Sequence, residues 1–186
     1  MKKNNEKRLV EKKLKSDVAF KGSFLQVLRD QVELPNGKPA TREYVLHNGA
    51  AMIIPVTDQG QLIMLRQYRY AVQKVFIEFP AGKTDPGEDT LQTAKRELEE
   101  EIGMTADQLQ FLTTIHPVIG YSNEKIDLYL AKGLKKSKQH LDEEEFLELF
   151  EISFEDAMEL MKKGDITDVK TMIGLFWYQQ ILKAKW

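Results

Sequence analysis

The chain contains no cysteine among its 186 residues. This absence excludes disulfide bonds, thiolate catalysis and zinc sites with cysteine ligands. It is typical of a reducing compartment, so we expect a cytoplasmic protein. The three histidines, His47, His116 and His140, are too scattered along the sequence to indicate a metal site.

The sequence also lacks a long apolar run and a strong excess of either charge. No segment reaches the length of a membrane-spanning helix, and the basic N-terminus, MKKNNEKRLVEKKLK, lacks the apolar core of a secretory signal. We expect this terminus to be a solvated arm; the alternative is a weak patch that attracts nucleotides. Because the net charge is −2, neither nucleic acid nor a membrane is an expected partner.

The remaining composition, 42% hydrophobic and 30% charged, indicates one well-buried globular domain with a small appended element. Residues 16–47 resemble an antiparallel unit whose hairpin turn is Pro35-Asn36-Gly37-Lys38. Further strands are predicted at residues 50–56, 61–66, 76–79, 110–115, 125–131 and 146–152. The first two of these are predicted to pair around the turn at residues 58–60.

Three segments carry helix signals. They are residues 90–102, a helix capped by Ser153 that ends near Gly164, and a last helix from Asp168 to Trp186. The order of elements predicts an α/β fold with a mixed sheet between helices and a small N-terminal antiparallel sheet. We divide the chain into an N-terminal arm and sheet, 1–47, and a main domain, 48–186.

The most informative segment is GKTDPGEDTLQTAKRELEEEIGM, residues 82–104. Asp89 followed by Gln92 has the spacing of a capping box, which predicts a helix over residues 90–102 that stops at Gly103. The apolar residues at helical spacing predict a buried stripe. Its members are Leu91, Ala94, Leu98 and Ile102.

Three glutamates of this helix, Glu97, Glu100 and Glu101, are spaced so that they converge on a different face. Like charges at this spacing destabilise an isolated helix, whereas a hard divalent cation reverses that effect. Oxygen ligands favour Mg²⁺, or Mn²⁺ as a substitute. The pattern predicts a metal site, and the alternative is a solvated acidic face. We expect Arg96 to point elsewhere and to pair with Glu88 or Glu99.

Candidate substrate-binding residues lie just before this segment. Arg66, Tyr68 and Arg69 follow an apolar strand, and arginines bind phosphate oxygens bidentately. The alternative is simple solvation of a strand end. Glu78 stands ahead of a turn restrained by Pro80.

The loop at residues 117–124 supplies a candidate general base. In a metal-dependent hydrolysis, Glu124 could deprotonate the water that attacks the substrate, because this deprotonation needs a carboxylate near metal-bound oxygen. The acidic run Asp142-Glu143-Glu144-Glu145 competes for this role. Water alone or a glutamate of the helix itself are further alternatives.

The segment at residues 82–104 resembles the complete Nudix box, with Gly82, Glu88 and Arg96 through Met104 in register. Flanking segments resemble the ADP-ribose pyrophosphatase and nucleoside diphosphate sugar hydrolase branch of that superfamily. They are residues 41–50, 66–69, 78–82, 122–125 and 142–146. Together with the box they cover nearly all of the chain from about residue 15 onward.

This resemblance implies a Nudix fold, an N-terminal sheet often exchanged within a homodimer, and hydrolysis of nucleoside diphosphate sugars with Mg²⁺. The implied metal ligands are the Ala81 carbonyl, Glu97 and Glu101, with Glu100 assisting. The implied catalytic residues are Arg96, Glu100, Glu101 and Glu124. The implied substrate-binding residues are Arg42, Arg66, Tyr68, Arg69 and Glu78.

One departure bears on the substrate. Dedicated ADP-ribose enzymes of the branch usually begin the 117–124 loop with Ser-Pro-Gly, whereas this chain has Val118-Ile119-Gly120. Strict ADP-ribose specificity is therefore not expected. The alternatives are a hydrolase of RNA caps or dinucleoside polyphosphates and a nucleotide-sensing domain without catalysis.

Overall fold

The computed structural model describes residues 8–141 and 146–183. The described elements follow the predicted order of strands and helices, with one addition, a short strand at residues 81–83 that the sequence does not predict. The strands are β1 (Lys12–Lys21), β2 (Gln26–Glu33), β3 (Pro39–Leu46), β4 (Ala50–Pro55), β5 (Leu62–Arg69), β6 (Lys74–Glu78), β7 (Ala81–Lys83), β8 (Met104–Ile115), β9 (Ile126–Lys136) and β10 (Leu147–Ile152). The helices are α1 (Thr90–Ile102), α2 (Phe154–Lys163) and α3 (Val169–Leu182).

The chain forms two compact units. The first contains the described residues up to His47 together with the loop Val118–Glu124. In it β1, β2 and β3 make an antiparallel sheet, and the loop joins it through a hydrogen bond from the Val45 amide to the Tyr121 carbonyl. Residues 12–15 of the basic N-terminus belong to β1 and are exposed, so this part of the expected solvated arm is an ordered strand.

The second unit contains two sheets and all three helices. One sheet has the order β7-β4-β9-β8, with β4 parallel to β9, and the other has the order β10-β5-β6. Every residue of β4 is buried, because alternate side chains enter two hydrophobic clusters. Met52 and Ile54 pack with residues of α2 and α3, while Ala51 and Ile53 pack with α1. The four-stranded sheet is thus covered by helices on both faces, which confirms the predicted fold class.

Two details of the predicted packing are wrong. First, β4 and β5 are not a sheet pair, since a single bridge, Val56 to Leu62, joins them. The edges of β4 are taken by β7 and β9, and those of β5 by β6 and β10. Second, Leu91 is 37% exposed. In the first turn of α1, Thr90 faces β9 instead, where its hydroxyl hydrogen-bonds Asp127 and Tyr129.

Candidate active site

The helix that carries the acidic cluster begins and ends as its sequence predicts. Asp89 accepts a hydrogen bond from the Gln92 amide, and the Gln92 side chain accepts one from the Asp89 amide. At the other end Gly103 adopts a left-handed conformation, which favours glycine. These caps fix the ends of α1 and therefore the positions of its glutamates.

Arg96 lies at the centre of the acidic cluster, so the expectation that it points elsewhere is wrong. Its Nη1 atom is 2.7 Å from Glu97 Oε1 and 2.9 Å from Glu100 Oε2. Its Nε is 3.0 Å from Glu88 Oε1, which confirms the predicted contact with the loop. Glu99 instead accepts a hydrogen bond from Ser137. We call Arg96 with Glu88, Glu97 and Glu100 the arginine-centred cluster.

The charges of this cluster perturb one another. Hydrogen bonds to Glu88, with those to Glu100 and the charge of Glu97, raise the pKa of Arg96 despite partial burial. The same hydrogen bonds from Arg96, aided by the Asp85 amide and the Thr93 hydroxyl, lower the pKa of Glu88 to about 2. Glu88 is therefore ionised at neutral pH and holds the loop against α1.

Glu97 and Glu101 are buried, at 8% and 3% exposure, and lie against β7, whereas the apolar stripe of α1 packs on β4. The Glu97 carboxylate lies directly against Gly82, where an added Cβ would be 1.7 Å from Oε1. Glu101 Oε2 accepts a hydrogen bond of 3.0 Å from the Ala81 amide. Strand β7 and α1 therefore hold these two carboxylates in one small region of the second unit.

The donor atoms available here are oxygen atoms, which suit Mg²⁺ or Mn²⁺ and not a softer metal. Within residues 8–141 and 146–183, no three acidic or histidine side chains are already arranged around a metal position. The Arg96 guanidinium contacts the carboxylates of Glu97 and Glu100. The chemistry of the donors fits a hard divalent cation, and their negative charge exceeds the single positive charge of Arg96.

A second group of charges surrounds Glu78, which is 2% exposed. Arg69 binds it bidentately, with Nε 2.7 Å from Oε1 and Nη2 2.8 Å from Oε2. Lys170 of α3 also donates to Oε2 and lies 3.0 Å from Asp168. We call these four residues the Glu78 cluster.

The pKa values in the Glu78 cluster reflect this pairing. Burial alone would raise the pKa of Glu78, but the contacts with Arg69 and Lys170 outweigh burial and lower it. The pKa of Arg69 is raised, chiefly by its hydrogen bonds to Glu78, and the charges of Glu101 and Asp168 add to the rise. Arg69 therefore stands close enough to Glu101 for their charges to interact.

The other predicted substrate residues of the second unit lie on β5. The Arg66 guanidinium carbon is 4.2 Å from the centre of the Phe150 ring, and Nη1 is 3.5 Å from Glu148. Tyr68 is half-exposed. Stacking on Phe150 restricts the rotamers of Arg66 and leaves part of its guanidinium open to solvent.

Two predicted residues belong to the first unit. Arg42 forms a bidentate pair with Glu11, with distances of 2.9 and 2.5 Å. Glu124 lies 3.8 Å from His47 Nε2, and its amide donates to the Ser122 hydroxyl. The competing acidic run, Asp142 to Glu145, lies outside the described residues.

Lys170 and Asp168 are charged residues near this site that sequence reasoning did not assign to it. Asp168 had a signal, since it was predicted to start the last helix, and it does cap α3 through the Thr171 amide. Lys170 had no such signal in the sequence, because its contact with Glu78 joins residues 92 positions apart.

None of the described helices is long and apolar enough to cross a membrane.

Comparison with known proteins identifies the family of the chain. The NUDIX domain model matches residues 46–172, and the nucleoside diphosphate sugar hydrolase N-terminal domain model matches residues 11–45. The chain is 39% identical to an ADP-ribose pyrophosphatase of Bacillus subtilis (strain 168), covering 93% of this chain and 95% of that relative.

Two further similarities extend over almost the full length. The chain is 40% identical to a methanol dehydrogenase activator of Bacillus methanolicus, over 94% of this chain and 97% of the relative. It also resembles a solved structure of an ADP compounds hydrolase, with a TM-score of 0.85 and 27% identity over 95% of this chain and 97% of that one. The chain therefore belongs to the Nudix hydrolase family, and its N-terminal sheet matches the domain that precedes the hydrolase domain in nucleoside diphosphate sugar hydrolases.

Proposed function

We propose that this Nudix hydrolase cleaves the diphosphate bond of nucleoside diphosphate sugars, including ADP-ribose and GDP-mannose. The products would be a nucleoside monophosphate and a sugar phosphate. The observation that carries the proposal is the pair of buried carboxylates, Glu97 and Glu101, held against Gly82 and Ala81. The similarity to an ADP-ribose pyrophosphatase and an ADP compounds hydrolase supports the substrate class.

Members of this family use divalent metal ions, and we propose Mg²⁺, with Mn²⁺ as a substitute. Glu97, Glu100, Glu101 and the Ala81 carbonyl would hold it. Bound there, the ion would offset the negative charge that develops on the diphosphate. The surplus of negative charge around Arg96 supports this assignment, since the cluster has one positive charge for three carboxylates.

The chain's own residues would bind and orient the substrate. Arg66 and Arg69, with 40% and 42% of their side chains exposed, are suited to binding phosphate oxygens. Tyr68 and Arg42 are the further candidates for substrate contact. Glu124 remains our candidate for taking the proton from the attacking water, in competition with the run at residues 142–145.

We also propose a role for each domain and an oligomeric state for the protein. The N-terminal sheet, within residues 1–47, would serve dimerisation and substrate contact, and residues 48–186 would form the hydrolase domain. A homodimer in the cytoplasm is proposed on the resemblance of the N-terminal sheet and the lack of cysteine.

The test is a panel of nucleotide sugars with Mg²⁺, with products identified by mass spectrometry. We expect wild-type protein to release nucleoside monophosphate from ADP-ribose and GDP-mannose, and Glu101→Gln to lose most of this activity. The matched control is Glu99→Gln on the same helix, because Glu99 contacts Ser137 and not the site. Unchanged turnover in Glu101→Gln would exclude the site.

The panel also separates the alternatives. Faster cleavage of capped or 5′-triphosphorylated RNA, or of dinucleoside polyphosphates, would change the substrate class. Tight nucleotide binding without any product would indicate a sensor.

A second candidate function is activation of a dehydrogenase, which the 40% identity to a methanol dehydrogenase activator favours. It is tested by adding the protein to a methanol dehydrogenase and measuring alcohol oxidation.

A further inference from the structure

The first turns of α3 contact the chain just before the candidate metal ligands. Lys170 donates a hydrogen bond to Glu78, and the Thr171 hydroxyl accepts one of 3.0 Å from the Phe79 amide. Gly174 lies one turn further along α3, where an added Cβ would be 3.2 Å from the Phe79 ring. Lys170, Thr171 and Gly174 of α3 therefore lie against Glu78 and Phe79, which are consecutive in the chain.

The contact between Lys170 and Glu78 is buried on both sides. The side chain of Lys170 is 12% exposed and that of Glu78 is 2% exposed. Both carboxylate oxygens of Glu78 already accept hydrogen bonds from Arg69 or Lys170. Removing the partner of a charge as buried as that of Glu78 strongly destabilises a protein. The contacts with Lys170 and Arg69 therefore fix the position of the Glu78 carboxylate. It also leaves Glu78 poorly placed to bind substrate directly.

The next residues connect this contact to the acidic helix. The Pro80 carbonyl accepts a hydrogen bond of 2.9 Å from the Ile53 amide of the buried strand β4. The Ala81 amide then donates to Glu101 Oε2. Only Phe79 and Pro80 separate Glu78 from Ala81, so the backbone position of Ala81 depends on where Glu78 and Phe79 are fixed.

We propose that Lys170, acting through Glu78, is a positioning residue that fixes Ala81 and Glu101 for binding of the divalent metal ion. This inference rests on the metal site under "Proposed function". Lys170 acts through its contact with Glu78, which restricts the short segment that links Glu78 to Ala81 and, through the Ala81 amide, to Glu101. Residues that orient metal ligands typically change metal affinity by about 10- to 100-fold when they are replaced.

The test measures Mn²⁺ binding without nucleotide, by electron paramagnetic resonance. Lys170→Met keeps most of the side-chain volume and removes the charge, and we expect it to raise the Kd for Mn²⁺ by about tenfold or more. Lys170→Arg restores a positive charge and should recover part of that loss. The matched control is Lys163→Met, because Lys163 is exposed and forms an ion pair with Glu159 on its own helix.

Thr171→Val is a second variant that leaves no buried charge unpaired, in case Lys170→Met folds poorly. It removes the acceptor for the Phe79 amide, and we expect a rise in Kd in the same direction as for Lys170→Met. Melting temperatures are measured alongside, because a purely structural contact would lower the melting temperature and leave the Kd unchanged.

The outcomes separate this inference from the proposed function. Wild-type protein that binds no Mn²⁺ would refute the proposed metal site itself. Wild-type binding together with an unchanged Kd in both Lys170→Met and Thr171→Val would overturn only the role of Lys170. A raised Kd in Lys170→Met with partial recovery in Lys170→Arg would support it.

Discussion

The two charged clusters of the second unit contain similar groups but differ in balance. In the arginine-centred cluster one guanidinium serves three carboxylates, Glu88, Glu97 and Glu100. In the Glu78 cluster two cations, Arg69 and Lys170, are matched by the carboxylates of Glu78 and Asp168. The first cluster therefore has an excess of negative charge, and the second is neutral.

The difference indicates what each cluster can do. A neutral network around a buried carboxylate serves to fix the chain and does not need an added cation. A partly buried cluster with uncompensated carboxylates is stabilised by a cation from solution. Divalent metal should therefore stabilise the protein through the proposed ligands, which are Glu97 and Glu100 of the first cluster and the neighbouring Glu101. Variants that alter either cluster test this division.

The largest effect is expected from Gly82→Ala. The new Cβ would occupy the position of the Glu97 carboxylate, so Glu97 or strand β7 must move. We expect a loss of stability of about 1–3 kcal/mol from overpacking. We also expect metal-dependent hydrolysis to fall roughly a hundredfold, equivalent to about 3 kcal/mol in activation free energy.

Gly60→Ala is the control for Gly82→Ala. An added Cβ there meets nothing within 4 Å, although the left-handed backbone makes alanine unfavourable. It should cost about 1 kcal/mol of stability and leave turnover unchanged. Equal activity in the Gly82 and Gly60 variants would show that the approach of Glu97 to Gly82 has no part in catalysis.

The next effect is expected from Arg96→Gln, which removes the only cation of the first cluster. The free energy of unfolding without metal should fall by about 2 kcal/mol, because charged hydrogen bonds are lost and three carboxylates repel one another. Mg²⁺ should then raise the melting temperature more in this variant than in the wild type, since Arg96 no longer competes for Glu97 and Glu100.

Calorimetric scans with and without Mg²⁺ measure the effect of Arg96→Gln. Arg29→Gln serves as the control, because it removes an exposed arginine that pairs with Glu43 in the N-terminal sheet. The hypothesis that Arg96 competes with Mg²⁺ for Glu97 and Glu100 is wrong if Mg²⁺ raises the melting temperature of Arg96→Gln by no more than it raises that of the wild type.

Much of the first cluster could be predicted from sequence because its signals are local. The capping box, the glycine at the end of α1 and the spacing of the glutamates all lie within residues 82–104. The orientation of Arg96 was mispredicted, although Arg96 and Glu100 have the i, i+4 spacing that brings side chains together on a helix. The burial of Glu97 and Glu101 depends on β7, and local periodicity does not reveal that strand's position.

The second cluster could not be predicted because its contacts depend on the packing of separate strands and of a helix 92 positions away from Glu78. Arg69 and Glu78 lie on the neighbouring strands β5 and β6 but are not opposite each other, and Lys170 comes from the last helix. A single sequence predicts that these strands and this helix exist. It does not specify that α3 begins beside the end of β6, nor that β5 pairs with β10 and not with β4.

A smaller effect is expected from Glu88→Gln, and it depends on pH. The folded-state pKa of Glu88, about 2, lies below its ordinary value of 4.5. Its contribution to stability is therefore complete above about pH 4.5 and is lost as the pH falls through 2. The wild type should lose its stability advantage over Glu88→Gln across this range, and chemical denaturation at several pH values measures it. A difference that does not change with pH would contradict this origin.

The smallest effect is expected from Asp168→Asn, which disturbs the balance of the second cluster. Asparagine caps a helix as well as aspartate does, so α3 should keep its start, and Lys170 keeps its contact with Glu78. We expect the free energy of unfolding to change by no more than about 0.5 kcal/mol. Asp168→Ala, which also loses the cap, should cost about 1 kcal/mol. Neither variant should alter the stabilisation by Mg²⁺, because Lys170 keeps its contact with Glu78 and the proposed ligands Glu97, Glu100 and Glu101 are unchanged. An altered response to Mg²⁺ in Asp168→Asn would show that the two clusters share one electrostatic site.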